Sequence, residues 1–220
     1  MIKLTKLTEP KVLTDNGAEW TKIHLANISN NIESTTYLKS RYNHKEIKEQ
    51  IVKETYGKCA YCESKLRHIH HGDIEHIYPK SLDESKRFEW VNLTLACEVC
   101  NQNKSNLDPL MLDIQDPYVG HPENILMFAG PLVFGLDSKG LSTEKILKLN
   151  RTELIEQRKE RIEKILLIIQ NILDSTIPLA TRRIIYDDLI TNEASQSAEY
   201  SAMVKCTINQ MESRIIAILK

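Results

Sequence analysis

Two pairs of closely spaced cysteines constrain this chain more than any other feature. The pairs are Cys59 with Cys62 and Cys97 with Cys100, so four of the five cysteines lie in two C-x-x-C motifs. Two residues between cysteines let the backbone curl so that both sulfur atoms reach one tetrahedral ion. A single C-x-x-C motif is equally typical of a redox pair. Two motifs that flank a polar segment instead predict a structural zinc site with four thiolate ligands and no open position for catalysis.

Composition supports metal binding over disulfide bonds. The 220 residues are 41% hydrophobic and 27% charged, which is typical of a globular protein that buries a sizeable core. The N-terminal residues lack the apolar stretch of an export signal, and the longest aliphatic run, residues 165–169, is far shorter than a membrane span. We therefore expect a cytoplasmic protein, and cytoplasmic cysteines bind metals more often than they form disulfide bonds.

The net charge indicates that the chain does not bind nucleic acid by electrostatics alone. The formal net charge is −1 at pH 7, and residues 58–104 contain seven basic and seven acidic residues. Proteins that bind nucleic acid unaided usually carry a basic excess. A partner protein, or the rest of the chain, is therefore expected to supply part of the substrate binding.

The segment between the cysteine pairs predicts two strands, and a helix is predicted after them. Alternating apolar residues at 74–77, stopped by Pro79, indicate a short strand, and residues 90–97 indicate the returning strand. A helix is predicted to start at Cys100. Because side chains alternate along a strand, Glu75 and His76 would lie on opposite faces unless the strand is irregular or a metal ion bridges them.

The candidates for catalysis in this region are Glu75, His76, Asn92 and Asn101. Imidazole can take a proton from water near neutral pH, and carboxylate and amide oxygens are ligands of hard cations. Each residue also has a structural alternative: a half-buried strand histidine, a solvated carboxylate, a turn-forming asparagine or a helix N-cap. Their combination between two zinc-binding motifs favours catalysis.

In this order, these residues resemble the HNH, or ββα-metal, endonuclease family over roughly residues 57–106. The resemblance implies that His76 is the general base that activates water and that Asn92 orients it through a backbone or side-chain contact. It implies hydrolysis of phosphodiester bonds, with DNA as the expected substrate and RNA such as tRNA as the alternative. A zinc module that binds nucleic acid or a partner without cutting is the other hypothesis.

The same resemblance implies a catalytic Mg²⁺ or Mn²⁺ ion, separate from the zinc, bound by Glu75 and Asn101. Glu75 stands where aspartate is common in the family. Lys104 lies in the N-x-x-K continuation of the motif. With Lys80, it is predicted to bind substrate.

The fold class predicted for the whole chain is α+β, mostly α-helical, with a zinc-stapled ββα-metal core. The expected regions are an N-terminal helical segment packed on the core (1–56), the nuclease core (57–106), a connector with a β-hairpin (107–150) and a C-terminal helical region (151–220). Asn43 is predicted to cap a helix over 43–56, and Asn150 a helix to about Asp174.

Several other polar residues carry less specific signals. His68, His70 and His71 form a local cluster that fits a flexible loop better than a metal or phosphate site. Arg151 and Arg158 lie on a face of alternating charges, which predicts a solvated helix surface, with phosphate contact as the alternative. Cys206 has no second cysteine nearby and is expected to be a small buried apolar residue.

The layout of the chain is also similar to the PtuB-type HNH proteins. The similarity rests on the sequences KCAYCE, IEHIYPKS, NL-x-LAC-x-x-CN-x-x-KS and LNRTELIEQR. Such proteins accompany an ATPase, PtuA, in Septu anti-phage systems and in some retrons. The resemblance implies a bacterial defence effector that is controlled by an SMC/ABC-like ATPase partner.

Overall fold

The computed structural model describes residues 1–66 and 72–220. The helices are α1 (Lys11–Ser29), α2 (Thr36–Lys39), α3 (Lys45–Glu54), α4 (Glu98–Lys104), α5 (Pro122–Ile125), α6 (Ser138–Ile146), α7 (Thr152–Leu173), α8 (Leu179–Asp188) and α9 (Ser201–Leu219). The strands are β1 (Asp73–His76), β2 (Leu93–Ala96), β3 (Leu126–Ala129) and β4 (Leu132–Gly135). This content confirms the predicted α+β, mostly helical class.

The predicted histidine cluster of His68, His70 and His71 lies outside the described residues. Within the described ranges, no helix combines the length and apolar character needed to cross a membrane.

The two strands between the cysteine pairs form a small antiparallel sheet, and α4 packs against β1. His76 pairs with Leu93 and Glu75 with Thr94. The sequence therefore predicts the order of strand, strand and helix correctly. The returning strand is shorter than predicted, because the 3-10 turn Trp90–Asn92 precedes β2.

The N-terminal helices cover the other face of this sheet. Ile47 and Ile51 of α3 are fully buried and belong to the same hydrophobic cluster as Leu93 and Leu95 of β2. The predicted N-cap of α3 is wrong, because His44 Nδ1 accepts the hydrogen bond from the Glu46 N–H at 3.3 Å. Asn43 instead belongs to the preceding 3-10 turn.

The predicted β-hairpin after the core is formed by β3 and β4, which pair from Leu126 with Gly135 to Ala129 with Leu132. Gly130 has a φ of +58° in the connecting turn, a conformation that residues with a Cβ atom rarely adopt. Helix α6 follows the hairpin. Asp137 caps it, with its side chain accepting from the Gly140 N–H at 2.7 Å.

The last three long helices bury a separate apolar cluster, in which Ile165 and Ile169 of α7 lie with Val204 of α9. The spacing of the apolar residues along α7 matches the helical repeat, which is why the sequence predicts this helix. Asn150 does not cap α7. Its side chain accepts from the Val133 N–H at 2.9 Å and donates to the Val133 carbonyl at 2.7 Å, which ties α7 to the hairpin.

Arg158 contradicts the expectation that the charged face of α7 is solvated. Its side chain is 1% exposed, and its guanidinium donates to the Leu149 carbonyl at 2.7 Å. The pKa of Arg158 is lowered because burial removes water from the guanidinium. This part of the face is therefore internal, and it is closed to a phosphate.

Candidate active site

The four cysteines of the two C-x-x-C motifs lie together, as predicted. Their sulfur atoms are all within 4.8 Å of one another, and the sulfur atoms of Cys62 and Cys97 are 3.8 Å apart. Tetrahedral zinc with Zn–S bonds of about 2.3 Å needs sulfur atoms roughly 3.8 Å apart. A set of four thiolates at this spacing fits a closed structural zinc site.

Arg151 contacts this cluster, which the sequence did not predict. Its guanidinium donates to the sulfur of Cys100 at 3.7 Å, of Cys62 at 3.8 Å and of Cys97 at 3.7 Å. Four thiolates around one divalent ion leave two negative charges, which a cation at this distance partly offsets. The charge pattern of the helix gave no signal for this contact, because the two C-x-x-C motifs and Arg151 are far apart in the sequence.

The cysteine cluster determines where α4 begins. Cys97 caps the helix, because its sulfur accepts from the Cys100 N–H at 3.4 Å. The first motif is joined to β2 by a hydrogen bond from the Ala60 N–H to the Leu95 carbonyl at 2.8 Å. The cysteine cluster therefore links α4 to the two-stranded sheet. Asn101 and Lys104 of α4 lie against β1 as a result.

An open cleft of about 420 Å³ lies where β1, α3 and α4 meet. Four of the predicted site residues line it: Glu75, His76, Lys80 and Asn101. Tyr42, Lys48 and Asp73 also line it, and none of them is a predicted site residue. The cleft therefore brings the candidate base, the candidate metal ligands and one candidate substrate-binding lysine to one place.

His76 lies at the wall of this cleft with a defined tautomer. Its side chain is 3% exposed, and its Nε2 lies 2.9 Å from the carbonyl oxygen of Arg87. Because a carbonyl only accepts, Nε2 carries the proton and Nδ1 keeps its lone pair. The edge of the Tyr42 ring packs against the imidazole, with ring centroids 4.7 Å apart.

The electrostatics keep the imidazole of His76 neutral. Burial lowers its pKa to about 3, and the nearby charge of Lys80 contributes to the decrease, whereas the hydrogen bond to the Arg87 carbonyl opposes it. At neutral pH the ring is therefore unprotonated, and the negative charge of a substrate phosphate in the cleft would raise this pKa toward the range that a general base needs.

Asn92 does not line the cleft, and its side chain binds the backbone of the loop that follows His76. Its Oδ1 accepts from the Tyr78 N–H at 2.7 Å, and its Nδ2 donates to the carbonyls of Tyr78 at 3.0 Å and Lys86 at 3.1 Å. These bonds hold both ends of the loop that leads to Arg87, whose carbonyl holds the imidazole. Asn92 is therefore linked to His76 through the backbone of this loop, and the hydrogen bonds of its side chain do not include the imidazole.

Asn101 and Lys80 border the open side of the cleft. Asn101 Nδ2 donates to Asp73 Oδ2 at 3.1 Å, so the amide oxygen remains available to a ligand. Lys80 is half-buried, with its Nζ 5.3 Å from the centroid of the Tyr42 ring. The period of two along β1 was a signal for Asp73, because it lies two residues before Glu75 and hence on the same face.

Lys104 is placed differently from the expectation that it binds substrate. It is 1% exposed, and its Nζ lies 2.7 Å from Glu75 Oε1 and donates to the His76 carbonyl at 2.9 Å. Unlike Glu75 and His76, Lys104 does not line the cleft, and its ammonium is used by two contacts inside the protein. Lys104 instead joins α4 to β1 and compensates the charge of Glu75, whose pKa is raised because burial outweighs this ion pair.

We expect Lys104→Met to lower the free energy of unfolding by about 3–5 kcal/mol, because it leaves the buried carboxylate of Glu75 without a counter-charge. Urea denaturation followed by circular dichroism measures this loss. The double variant Lys104→Met/Glu75→Gln is expected to recover most of it, since no unpaired charge remains. Unchanged stability of Lys104→Met combined with weaker nucleic-acid binding would instead support the original substrate-binding prediction.

Comparison with known proteins agrees with this geometry. Residues 59–107 match the family model described as HNH endonuclease. The chain is 28% identical over 216 residues to the Septu protein PtuB of Bacillus thuringiensis, covering 93% of this chain and 80% of that protein. It is 27% identical over 220 residues to the Septu protein PtuB of Bacillus mycoides, covering 83% and 75%. The predicted resemblance to HNH endonucleases of the PtuB type is thereby confirmed.

Proposed function

We propose that this chain, which carries an HNH endonuclease domain and is similar to PtuB proteins over most of its length, is a metal-dependent endonuclease that hydrolyses phosphodiester bonds of DNA. The observation that carries the proposal is the state of His76. A neutral imidazole, with Nε2 bonded to the Arg87 carbonyl and Nδ1 unprotonated, shares one cleft with carboxylate and amide oxygens.

His76 Nδ1 takes a proton from the water that attacks the phosphorus atom. The hydrogen bond from Nε2 to the Arg87 carbonyl stabilises the imidazolium that forms, because it strengthens when the ring becomes positive. Asn92 keeps that carbonyl in place by holding the loop before it. Lys80, at the cleft wall, is positioned to contact a substrate phosphate and to offset its negative charge.

The oxygen atoms of Glu75 and Asn101 fit a hard divalent cation, and the four thiolates fit zinc, which supports two chemically distinct metal sites. We assign zinc to the cysteines and Mg²⁺ or Mn²⁺ to the cleft. When bound there, the cation supplies Lewis-acid stabilisation of charge at the scissile phosphate and the leaving oxygen. Glu75 and Asn101 would hold it on the β1 and α4 sides of the cleft.

The charge balance of the chain supports a role within a complex. With a net charge of −1, the protein lacks the basic excess that drives unaided binding to nucleic acid. The similar proteins are named as Septu proteins. We therefore assign this chain to a Septu-type anti-phage system, in which an ATPase partner of the PtuA type brings it to its substrate or activates it.

The test is a cleavage assay on the complete complex. The full chain is co-expressed with an ATPase of the PtuA type, purified, sized and incubated with plasmid DNA and with tRNA, in Mg²⁺ or Mn²⁺ and with EDTA as the control. Metal-dependent cleavage of DNA is the expected result. Cleavage of tRNA alone would support the RNA alternative, and no cleavage of either substrate by the complex would favour a zinc module that binds without cutting.

A further inference from the structure

The carboxylate of Asp73 lines the candidate active site and has no role in the proposed mechanism. Asp73 and Glu75 lie two residues apart on β1, so both project toward the face that α4 covers. Asn101 Nδ2 donates to Asp73 Oδ2 at 3.1 Å. Because a carboxylate only accepts, this bond fixes the orientation of the amide, with the oxygen of Asn101 left free.

Glu75 by itself is a weak source of negative charge for a cation. It is 5% exposed, and its Oε1 lies 2.7 Å from the ammonium of Lys104 without the angles of a hydrogen bond. The two side chains together carry no net charge, and the amide of Asn101 is neutral. Glu75 and Asn101 alone would therefore offer a divalent cation two oxygen atoms and no uncompensated negative charge, in a cleft that Lys48 and Lys80 also line.

Asp73 supplies the missing charge. It is exposed to the cleft, and in the described chain no basic side chain forms an ion pair with it. It lines the same cleft as Glu75, His76 and Asn101. Divalent cations such as Mg²⁺ and Mn²⁺ bind oxygen donors, usually including one or two carboxylates, and a carboxylate without a basic partner attracts them more strongly than one in an ion pair.

We propose that Asp73 is a ligand of the catalytic divalent cation, completing with Asn101 and Glu75 a set of three oxygen donors on the β1 and α4 sides of the cleft. The inference rests on the proposed function, since it concerns the metal that the nuclease reaction uses. It differs from a positioning role for Asp73, in which the carboxylate would only orient the amide of Asn101.

Asp73→Asn separates these two roles. Asparagine keeps an oxygen atom that accepts the hydrogen bond from Asn101, so the position of the amide is retained, but it removes the charge. The matched control is Glu98→Gln, which removes one exposed negative charge from the same helix as Asn101 without touching the cleft.

The measurement is Mn²⁺ binding to the zinc-loaded full chain, followed by electron paramagnetic resonance of free Mn²⁺. The four thiolates do not compete, because Mn²⁺ prefers oxygen donors. We expect Asp73→Asn to weaken Mn²⁺ binding at least tenfold and Glu98→Gln to change it less than twofold. Thermal melts of each variant confirm that the fold is intact.

Asp73→Asn with the Mn²⁺ affinity of the wild type would overturn the proposal, as would a wild-type chain that binds no Mn²⁺ at millimolar concentration. Failure of the proposed function has a different signature. Loss of Mn²⁺ binding in Asp73→Asn, with no cleavage by the wild-type complex, would support the metal site and reject the nuclease assignment. Cleavage by the wild type with unchanged Mn²⁺ binding in Asp73→Asn would reject the role of Asp73 alone.

Discussion

Replacing His76 with alanine is expected to lower the rate of phosphodiester cleavage by about 10²- to 10⁴-fold, the range that a positioned general base contributes. Among the described residues that line the cleft, the imidazole is the one side chain with an unprotonated ring nitrogen, because its Nε2–H is committed to the Arg87 carbonyl. Without it, the attacking water must lose its proton to bulk solvent. Single-turnover cleavage of plasmid DNA by the chain together with the proposed ATPase partner measures the effect.

Two further variants separate loss of the base from loss of the fold. His76→Gln keeps an N–H donor for the Arg87 carbonyl but provides no base, so it should be as inactive as His76→Ala while melting closer to the wild type. His121→Ala removes an exposed histidine outside the cleft, which pairs with Glu123 at 2.9 Å, and should cleave at the wild-type rate. Unchanged cleavage by a folded His76→Ala variant would rule out the catalytic assignment.

The second large effect is expected at the cysteine cluster. Cys100→Ser should abolish zinc binding and unfold the region that contains the cleft, because a structural zinc contributes on the order of 10 kcal/mol of folding free energy. The net stability of a typical globular protein is about 5–15 kcal/mol, so a loss of this size removes most of it. Cys100 is fully buried and lies in the first turn of α4, directly before Asn101. The metal content by elemental analysis and the melting temperature by circular dichroism measure the outcome.

Cys206→Ser is the matched control for this experiment. Cys206 is half-buried, and its sulfur contacts the Phe128 carbonyl at 3.3 Å, away from the four clustered cysteines. The substitution should leave the zinc content at one ion per chain and change the melting temperature by a few degrees. A Cys100→Ser protein that lacks zinc but melts like the wild type would show that the metal does not stabilise the core.

Short-range patterns in the sequence predicted the framework of the site. The spacing within each C-x-x-C motif predicted the thiolate cluster, since two intervening residues are enough to bring both sulfurs to one ion. Apolar alternation predicted β1, and turn residues predicted the hairpin around Gly130. The helical repeat of apolar residues predicted α7. Each of these signals is contained within a few consecutive residues, so no tertiary information was needed.

The roles of the charged residues were decided by the tertiary structure. From the sequence, Lys104, Arg151 and Arg158 are all basic residues of predicted helices, and each is expected to face solvent or substrate. In the fold, Lys104 pairs with a buried carboxylate, Arg151 contacts the thiolates and Arg158 donates to a backbone carbonyl. The solvent exposure of a long basic side chain depends on which distant segment packs over it, and this cannot be predicted from the residue type.

The sequence alone therefore determined the clustering of the four cysteines, the order of strand, strand and helix, and the choice of His76 as the candidate base. Only the tertiary structure decided the tautomer of His76, the burial of Lys104 and the contact of Asp73 with Asn101. The physical reason is the range of the interactions. The C-x-x-C motifs and the alternation along a strand each involve residues that are close in the sequence. The hydrogen bonds and ion pairs at the cleft instead join residues that are 11 to 29 positions apart.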